Sequence, residues 1–389
     1  MAHFPPLTST LTQLIAEPSI SSVSPEFDHS NMGVIHLLAQ WCEDLGFSVE
    51  IFPLAEQPHA KANLIATLGS GPGGLVLAGH TDTVPFDEQQ WQVDPFRLTE
   101  RGQRYYGLGI SDMKCFFSLC LQAVRGFSAK DFKRPLIILA TADEESSMDG
   151  AKALVELGKP HARFAVIGEP TGLKPVNMHK GMMMEAIHIQ GHAGHSSDPA
   201  LGENAIEGLR NVLNEIIQWR ASLQADYHHD GFKVPYPTLN LGLVGGGDNP
   251  NRICAHSHLH FDLRTLPGMD IDELRRQLDQ RLQRLGQQSR LRFERKTLID
   301  GTPAFATPSN SPLLQRLVHW TGNAPESVAF CTEGPYLHEL GMETVIWGPG
   351  NIEQAHQPDE FLALDRIQPA VDVLEKLIAD YCVHGVMDQ

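Results

Sequence analysis

Along the first half of the chain the apolar positions follow two different rhythms. Residues 7 to 17 and 30 to 46 repeat at helical spacing, and the second run closes at "DLGF", where Gly46 supplies a stop. Five nearly continuous apolar runs of strand length follow: "VEIF", "NLIATLG", "GLVLAGH", "LIILATADEE" and "FAVIGEP". The helical patterns "MKCFFSLCLQAVRGF" and "GAKALVELG" are interleaved with them. Strands that lack an alternating polar face are covered on both sides, so this pattern predicts an α/β domain with a helix-covered central sheet. Three of the runs end abruptly in charge, at His80 with Asp82, at Glu144 with Glu145, and at Glu169. In open α/β sheets, binding groups gather at the carboxyl ends of strands. Because a strand alternates faces with a period of two, His80 and Asp82 project to one side.

The rhythm changes after "HKGMMMEAIHIQG". The strands "MEAIHIQG", "TLNLGLVGGG" and "ICAHSHLHFDLR" alternate polar with apolar, and the helices "NAIEGLRNVLNEIIQWR" and "DIDELRRQLDQRLQRLG" lie between and after them. This β-α-β-β-α order predicts a smaller, half-exposed α+β unit of ferredoxin-like type. We place it at residues 182–292, inserted into a larger domain made of residues 1–181 and 293–389. Two domains suit a chain of 389 residues, which exceeds one comfortable core.

Composition removes several function classes. A formal charge of −17 repels phosphate backbones and anionic membrane surfaces, so neither nucleic acid nor a membrane is expected as a partner. No run approaches the roughly 18 apolar residues of a membrane span, and the first residues lack the basic, apolar and small-residue regions of an export signal, so a cytoplasmic location is expected. The six cysteines are scattered without a C-x-x-C pair, which argues against a thiolate zinc site and against a disulfide framework.

Five segments carry the candidate chemistry: "GHTDTVP", "YGLGISDMK", "ADEESS", "IGEPT" and "NIEQAHQPDE". Each has an ordinary explanation when taken alone. Glu144 and Glu145, or Asp112, could favour a helix N-terminus through its dipole; Glu169-Pro170 could be a turn, and His356 a loop histidine. Together, two histidines and several carboxylates at strand ends suit borderline divalent cations, and they outnumber the ligands one ion needs. Two metal ions are therefore expected.

The ordered set His80-x-Asp82, Asp112, Glu144-Glu145, Glu169 and His356 resembles the M20 group of dinuclear metallohydrolases, and segments such as "GHSSDPA", "VPYPTLNLG", "NRICA" and "QAHQPDE" extend the likeness over nearly the whole chain. Cys115 departs from the group, which usually has glycine after "DMK". The resemblance implies a zinc-peptidase-like catalytic domain with a central mixed sheet, and it gives the inserted domain dimerisation and lid roles. It implies two divalent ions, zinc or alternatively cobalt: one held by His80, Asp112 and Glu169, the other by Asp112, Glu145 and His356. Asp82 would hydrogen-bond the far ring nitrogen of His80 and fix its tautomer. Glu144 would act as general base, and a cis bond would join Asp112 to Met113. His195 in "GHAGHSSDP" would reach across a homodimer to the partner's site and donate to the oxyanion. The reaction implied is hydrolysis of the amide of a small N-acyl amino acid, with the cations acidifying a water and polarising the acyl group.

On substrate, Arg264 and Asn251 match the positions that hold the product's α-carboxylate, and a structural salt bridge is the alternative for Arg264. Gly348 and Gly350 in "WGPGN" would let the backbone approach the substrate. No cation stands near "CTEGPY" to meet a free acyl carboxylate, so a short neutral acyl group such as acetyl is expected, with Glu333 favouring a cationic side chain. Three rivals stand beside this reading. An N-acetylcitrulline deacetylase, a desuccinylase or a general aminoacylase of the same group would differ in substrate. A non-catalytic binding protein would be expected to lack a ligand or Glu144. A Ser or Cys nucleophile would need a setting that Ser196, Ser197 and Cys331 lack, since no G-x-S-x-G elbow is present.

Overall fold

The computed structural model describes residues 4–55 and 58–385. The chain forms two compact units. One comprises the residues up to Asn177, Thr307–Glu326 and the residues from Thr332 on; the other comprises Met178–Ala306 and Ser327–Cys331.

The larger unit is organised by four parallel strands, Leu136–Thr141, Leu75–His80, Phe164–Ile167 and Glu343–Ile346, in that spatial order. Two antiparallel strands, Ala62–Leu68 and Ser48–Pro53, extend the sheet beyond Leu136–Thr141, so the sheet is mixed. The Leu75–His80 and Leu136–Thr141 strands are buried along their whole length, as their unbroken apolar runs require. Helix Cys115–Val124 is buried everywhere except Gln122, and it shares a core with Leu77, Ile138, Val166 and the terminal helix Ile367–Ile378. Each fully buried Leu, Ile or Phe there contributes about 1.5–3 kcal/mol. Helices Leu7–Ala16 and Met32–Asp44 follow the predicted periodicity, and Gly46 stands just past the second at φ +90°.

A small sheet absent from the sequence reading joins Thr99–Glu100, Arg104–Tyr106 and Phe361–Ala363. Its strands are too short to show a period. It ties the segment after His356 to the segment that leads into Asp112.

The smaller unit contains four antiparallel strands in the order Thr238–Gly246, His256–Thr265, Gly181–Gln190, Arg292–Thr302. Helices Ala205–Asp226 and Ile271–Gln287 complete a β-α-β-β-α-β chain order of ferredoxin-like type. Alternate residues of His256–Thr265 are buried, among them Leu259, Phe261 and Leu263, which join Trp219 and Leu278 in a separate core. The last strand carries this unit past residue 292, where the sequence reading ended it. Register shifts between Thr297 and Ile299 and between Ile299 and Thr302 break the two-residue rhythm, which hides the strand in "RFERKTLIDGT". Among the described residues, no helix is long and apolar enough to cross a membrane.

Candidate metal centre

His80 is the last residue of its strand, and its ring is buried. Its Nε2 lies 3.1 Å from Asp112 Oδ1 and 3.9 Å from Glu169 Oε1. Glu169 follows the parallel strand beside it, two residues past Ile167. On the other side of Asp112, Oδ2 lies 3.7 Å from His356 Nε2, which also stands 3.1 Å from each oxygen of Glu145. The donor atoms thus form two groups, His80 with Asp112 and Glu169, and Asp112 with Glu145 and His356; within each group all lie inside 4.8 Å. Asp112 belongs to both. His80 also groups with Glu144 and Glu145.

Asp112 and the two glutamates sit in turns, which bears on the ordinary explanations. Helix Cys115–Val124 begins three residues after Asp112, and helix Asp149–Leu157 begins four after Glu145, so none of the three lies in a helical first turn. The Asp112-Met113 peptide is cis. Cys115 is the first residue of its helix and packs beside Leu11, Ile15 and Ile110, where burial pushes its thiol far up.

Two expected contacts are realised differently. The Asp82 carboxylate does not hydrogen-bond the His80 ring, since Oδ1 stands 3.7 Å from Nδ1; the main-chain carbonyl of Asp82 meets that nitrogen at 3.0 Å instead. The carboxylate turns to the main chain of the neighbouring turn, accepting from the Glu145 N–H at 3.0 Å through Oδ2. Gly348 and Gly350 make room for the protein's own backbone. A Cβ on Gly348 would stand 2.2 Å from the Gly168 carbonyl oxygen, and one on Gly350 would stand 2.3 Å from that of Ser111. Their missing side chains seat the segments that carry Glu169 and Asp112.

Electrostatics describe a site short of positive charge. Burial raises the Glu144 carboxyl well above its usual range, with Glu169 and Glu145 adding to the effect. Burial and Asp112 do the same to Glu169. Burial carries Asp82 up to about 6 and Glu333 up to about 7, although His80 opposes both. Burial disfavours a charged His80, but the Asp112 hydrogen bond and the charges of Glu169, Asp82 and Glu144 outweigh it and hold the imidazole well above its ordinary value. Glu145 lifts His356 to about 9. Glu169 Oε1 and Asp82 Oδ1 are buried without a hydrogen-bond partner. Two imidazoles facing this many carboxylates form a donor set that divalent cations fit: nitrogen and oxygen atoms in two groups, with one carboxylate common to both.

Glu360 escaped the sequence reading, although it lies four residues after His356. Its buried carboxylate accepts from the N–H groups of Gly109 at 2.9 Å, Ser111 at 2.6 Å and Asp112 at 3.0 Å, so it fixes the turn that presents Asp112. Burial nevertheless lifts its pKa to about 8. The "QPDE" ending was its only signal.

The remaining candidates divide between the units. Glu333 is buried in the larger one, where the Thr141 hydroxyl favours its ionised form. His195, Asn251 and Arg264 belong to the smaller one. His195 is exposed, its Nδ1 is 2.7 Å from Ser197 Oγ, and it lines a shallow cavity with Asn251 and Arg252. Arg264 is engaged by Asp262, Nε to Oδ2 at 3.0 Å.

Comparison with known proteins gives a consistent picture. The model of peptidase family M20/M25/M40 matches residues 76–380. A protein of Pasteurella multocida named acetylornithine deacetylase is 45% identical over 98% of this chain and all of its own length. One of the same name from Klebsiella pneumoniae is 46% identical over 98% of this chain and 99% of its own. Among solved structures, an M20 metallo-carboxypeptidase from Sulfolobus solfataricus superposes with a TM-score of 0.73 at 18% identity, over 98% of this chain and 100% of the other. The Bacillus subtilis YXEP protein, titled a dinuclear metal binding peptidase of family M20, gives 0.67 at 14% identity, over 98% of each chain.

Proposed function

The chain belongs to peptidase family M20/M25/M40, and from that membership we propose that it hydrolyses the amide of Nα-acetyl-L-ornithine to L-ornithine and acetate. It is a metal-dependent amidohydrolase, and the relatives that it matches end to end carry the name of this deacetylase. The observation that carries the reading is the pair of donor groups sharing Asp112, with Glu144 beside them.

His80, Asp112 and Glu169 would hold one divalent ion, and Asp112, Glu145 and His356 the other, with zinc or cobalt as the metal. When bound, the cations supply Lewis-acid polarisation of the acyl carbonyl and lower the pKa of water toward neutrality. Glu144 holds the transferred proton: its carboxylate accepts it from the attacking water and returns it to the departing amine nitrogen. A carboxyl lifted by burial and by its acidic neighbours retains a proton long enough to deliver it. His195 of a second copy donates to the developing oxyanion, which makes the homodimer the active form, with the smaller unit as its dimerisation and lid domain. Arg264 and Asn251 receive the α-carboxylate, Arg264 by sharing the fork that now meets Asp262. Glu333 adds negative charge toward the side-chain ammonium of ornithine. The product then serves arginine biosynthesis.

The test is kcat/KM for acetylornithine, acetylcitrulline, succinyl-diaminopimelate and acetylmethionine, measured with metal analysis before and after exhaustive chelation. Acetylornithine is expected to lead, and chelation to abolish turnover until zinc or cobalt is restored. A higher kcat/KM for another member of the panel would overturn the substrate. Full activity in metal-free protein would overturn the chemistry.

A further inference from the structure

The turn that carries Glu144 and Glu145 is tied to a buried ammonium that the reaction does not use. Lys61 precedes the strand Ala62–Leu68, and its side chain is 3% exposed. Its Nζ lies 2.6 Å from Asp28 Oδ1 and in close contact with Asp143 Oδ1. Both carboxylates are as buried as the lysine. The Ser21 hydroxyl donates to the same Asp143 oxygen at 2.7 Å and meets Ser146 Oγ at 2.5 Å. Asp143 stands at φ +61°, and its carbonyl accepts from Ser147 N at 3.1 Å and Met148 N at 2.7 Å, closing the turn over the two glutamates. Two residues after Lys61, on the same side of the strand, Asn63 accepts from Ala142 N at 3.1 Å and donates to Gly150 O at 2.8 Å, gripping the two ends of that turn.

Burying an ammonium with two carboxylates is a poor route to stability, because desolvation offsets most of the attraction. What such an arrangement does well is select one geometry. The network touches Asp143 and Ser146, the residues that bracket Glu144 and Glu145, and among the described residues no hydrogen bond or ion pair joins the side chains of Lys61, Asp28 or Ser21 to a residue of the two donor groups. We infer that Lys61, with Asp28 and Ser21, is a positioning residue for the Asp143–Met148 turn, setting Glu144 and Glu145 against the Asp112 centre. This rests on the reading of Glu144 as base and Glu145 as ligand.

The experiment compares full-length Lys61→Met and Ser21→Ala with wild type, following kcat and KM on acetylornithine and calorimetric titration of the metal-free proteins with Zn2+. Lys61→Met is expected to lose about 100-fold in kcat with KM within about threefold, since a misplaced base costs turnover rather than binding. One of its two Zn2+ affinities is expected to fall at least about tenfold while the other holds. Ser21→Ala, which leaves the ion pairs intact, is expected to lose about threefold or more in kcat with the same split. A Lys61→Met protein with wild-type near-ultraviolet dichroism that keeps kcat and both affinities would overturn the inference. So would equal losses at both Zn2+ steps that track a lowered melting temperature. If Lys61→Met does not fold, Ser21→Ala decides, and kcat within twofold of wild type overturns the inference. Wild-type protein that binds fewer than two Zn2+, or does not turn over, would refute the underlying reading instead.

Discussion

Two regions of this molecule bury carboxylates, and they neutralise them in opposite ways. Glu185, in the central strands of the smaller unit, is wholly buried, with Arg275 Nε 2.8 Å from one oxygen and Arg295 Nη1 3.0 Å from the other. At the strand ends of the larger unit, Asp112 and Glu169 are also buried, but the ion-pair partners found for them among the described residues are the imidazoles of His80 and His356. In the first region the chain supplies its own cations, and the cluster is finished. In the second the carboxylates outnumber the cations, burial and acidic neighbours push Glu144 and Glu169 well above the usual carboxyl range, and positive charge has to come from outside. A buried acid alone therefore says little about function. Whether a guanidinium already answers it says a great deal.

The contrast can be broken at several points. The largest effect belongs to Glu144→Gln, which is expected to lower kcat by about 10²–10⁴ with metal content unchanged. Retained turnover would remove Glu144 from the unanswered cluster's chemistry. Glu185→Ala removes the buried acid between Arg275 and Arg295, which keep Asp272, Asp300 and Asp279 as outer partners, and is expected to cost about 1.5–3 kcal/mol in urea denaturation. Its kcat/KM per folded molecule should stay at the wild-type value, and a loss of kcat/KM would show that the finished cluster also serves the reaction.

Asp82→Ala releases the Glu145 N–H and is expected to lower metal affinity or turnover by about 10- to 100-fold, read by zinc titration and kcat. No change in either would leave Asp82 without a role. A further test, with an effect of about 1.4 kcal/mol per pH unit, concerns a third solution, in which the buried group stays uncharged. Burial holds His179 at about 4, below its ordinary 6.5, with Nδ1 near the Lys180 carbonyl at 2.9 Å and Nε2 unpartnered. The unfolded chain takes up this proton first as pH falls. The stability is therefore fully present above about pH 6.5, and wild type should lose about 1.4 kcal/mol per pH unit relative to His179→Phe between pH 6.5 and 4. A difference in urea stability that does not vary with pH would contradict that assignment.

The larger unit was legible because its strands Leu75–His80, Leu136–Thr141 and Phe164–Ile167 are buried throughout, so the charged residues that follow their apolar runs, His80, Glu144, Glu145 and Glu169, stood out. In the smaller unit polar residues recur at every second position, so Arg264 looks no different from its neighbour-but-one Asp262, with which it pairs. The strand Arg292–Thr302 was hidden by its bulges. Glu360 and Lys61 were illegible for another reason: their partners are main-chain N–H groups or acids far off in sequence, and neither leaves a local pattern. Gly348 and Gly350 were noticed for the space they leave, but a sequence does not show that a Cβ at either position would meet the backbone of Gly168 or Ser111.

The order in which the donors lie along the chain has a consequence for biosynthesis. His80, Asp112 and Glu169 have all been polymerised before the smaller unit begins, whereas the group of Asp112, Glu145 and His356 lacks a member until the chain has returned from it. Glu360, which braces Asp112, arrives later still. On the ribosome, the two donor groups therefore come into existence at separate times, and the second is complete only once the chain has been made past the smaller unit.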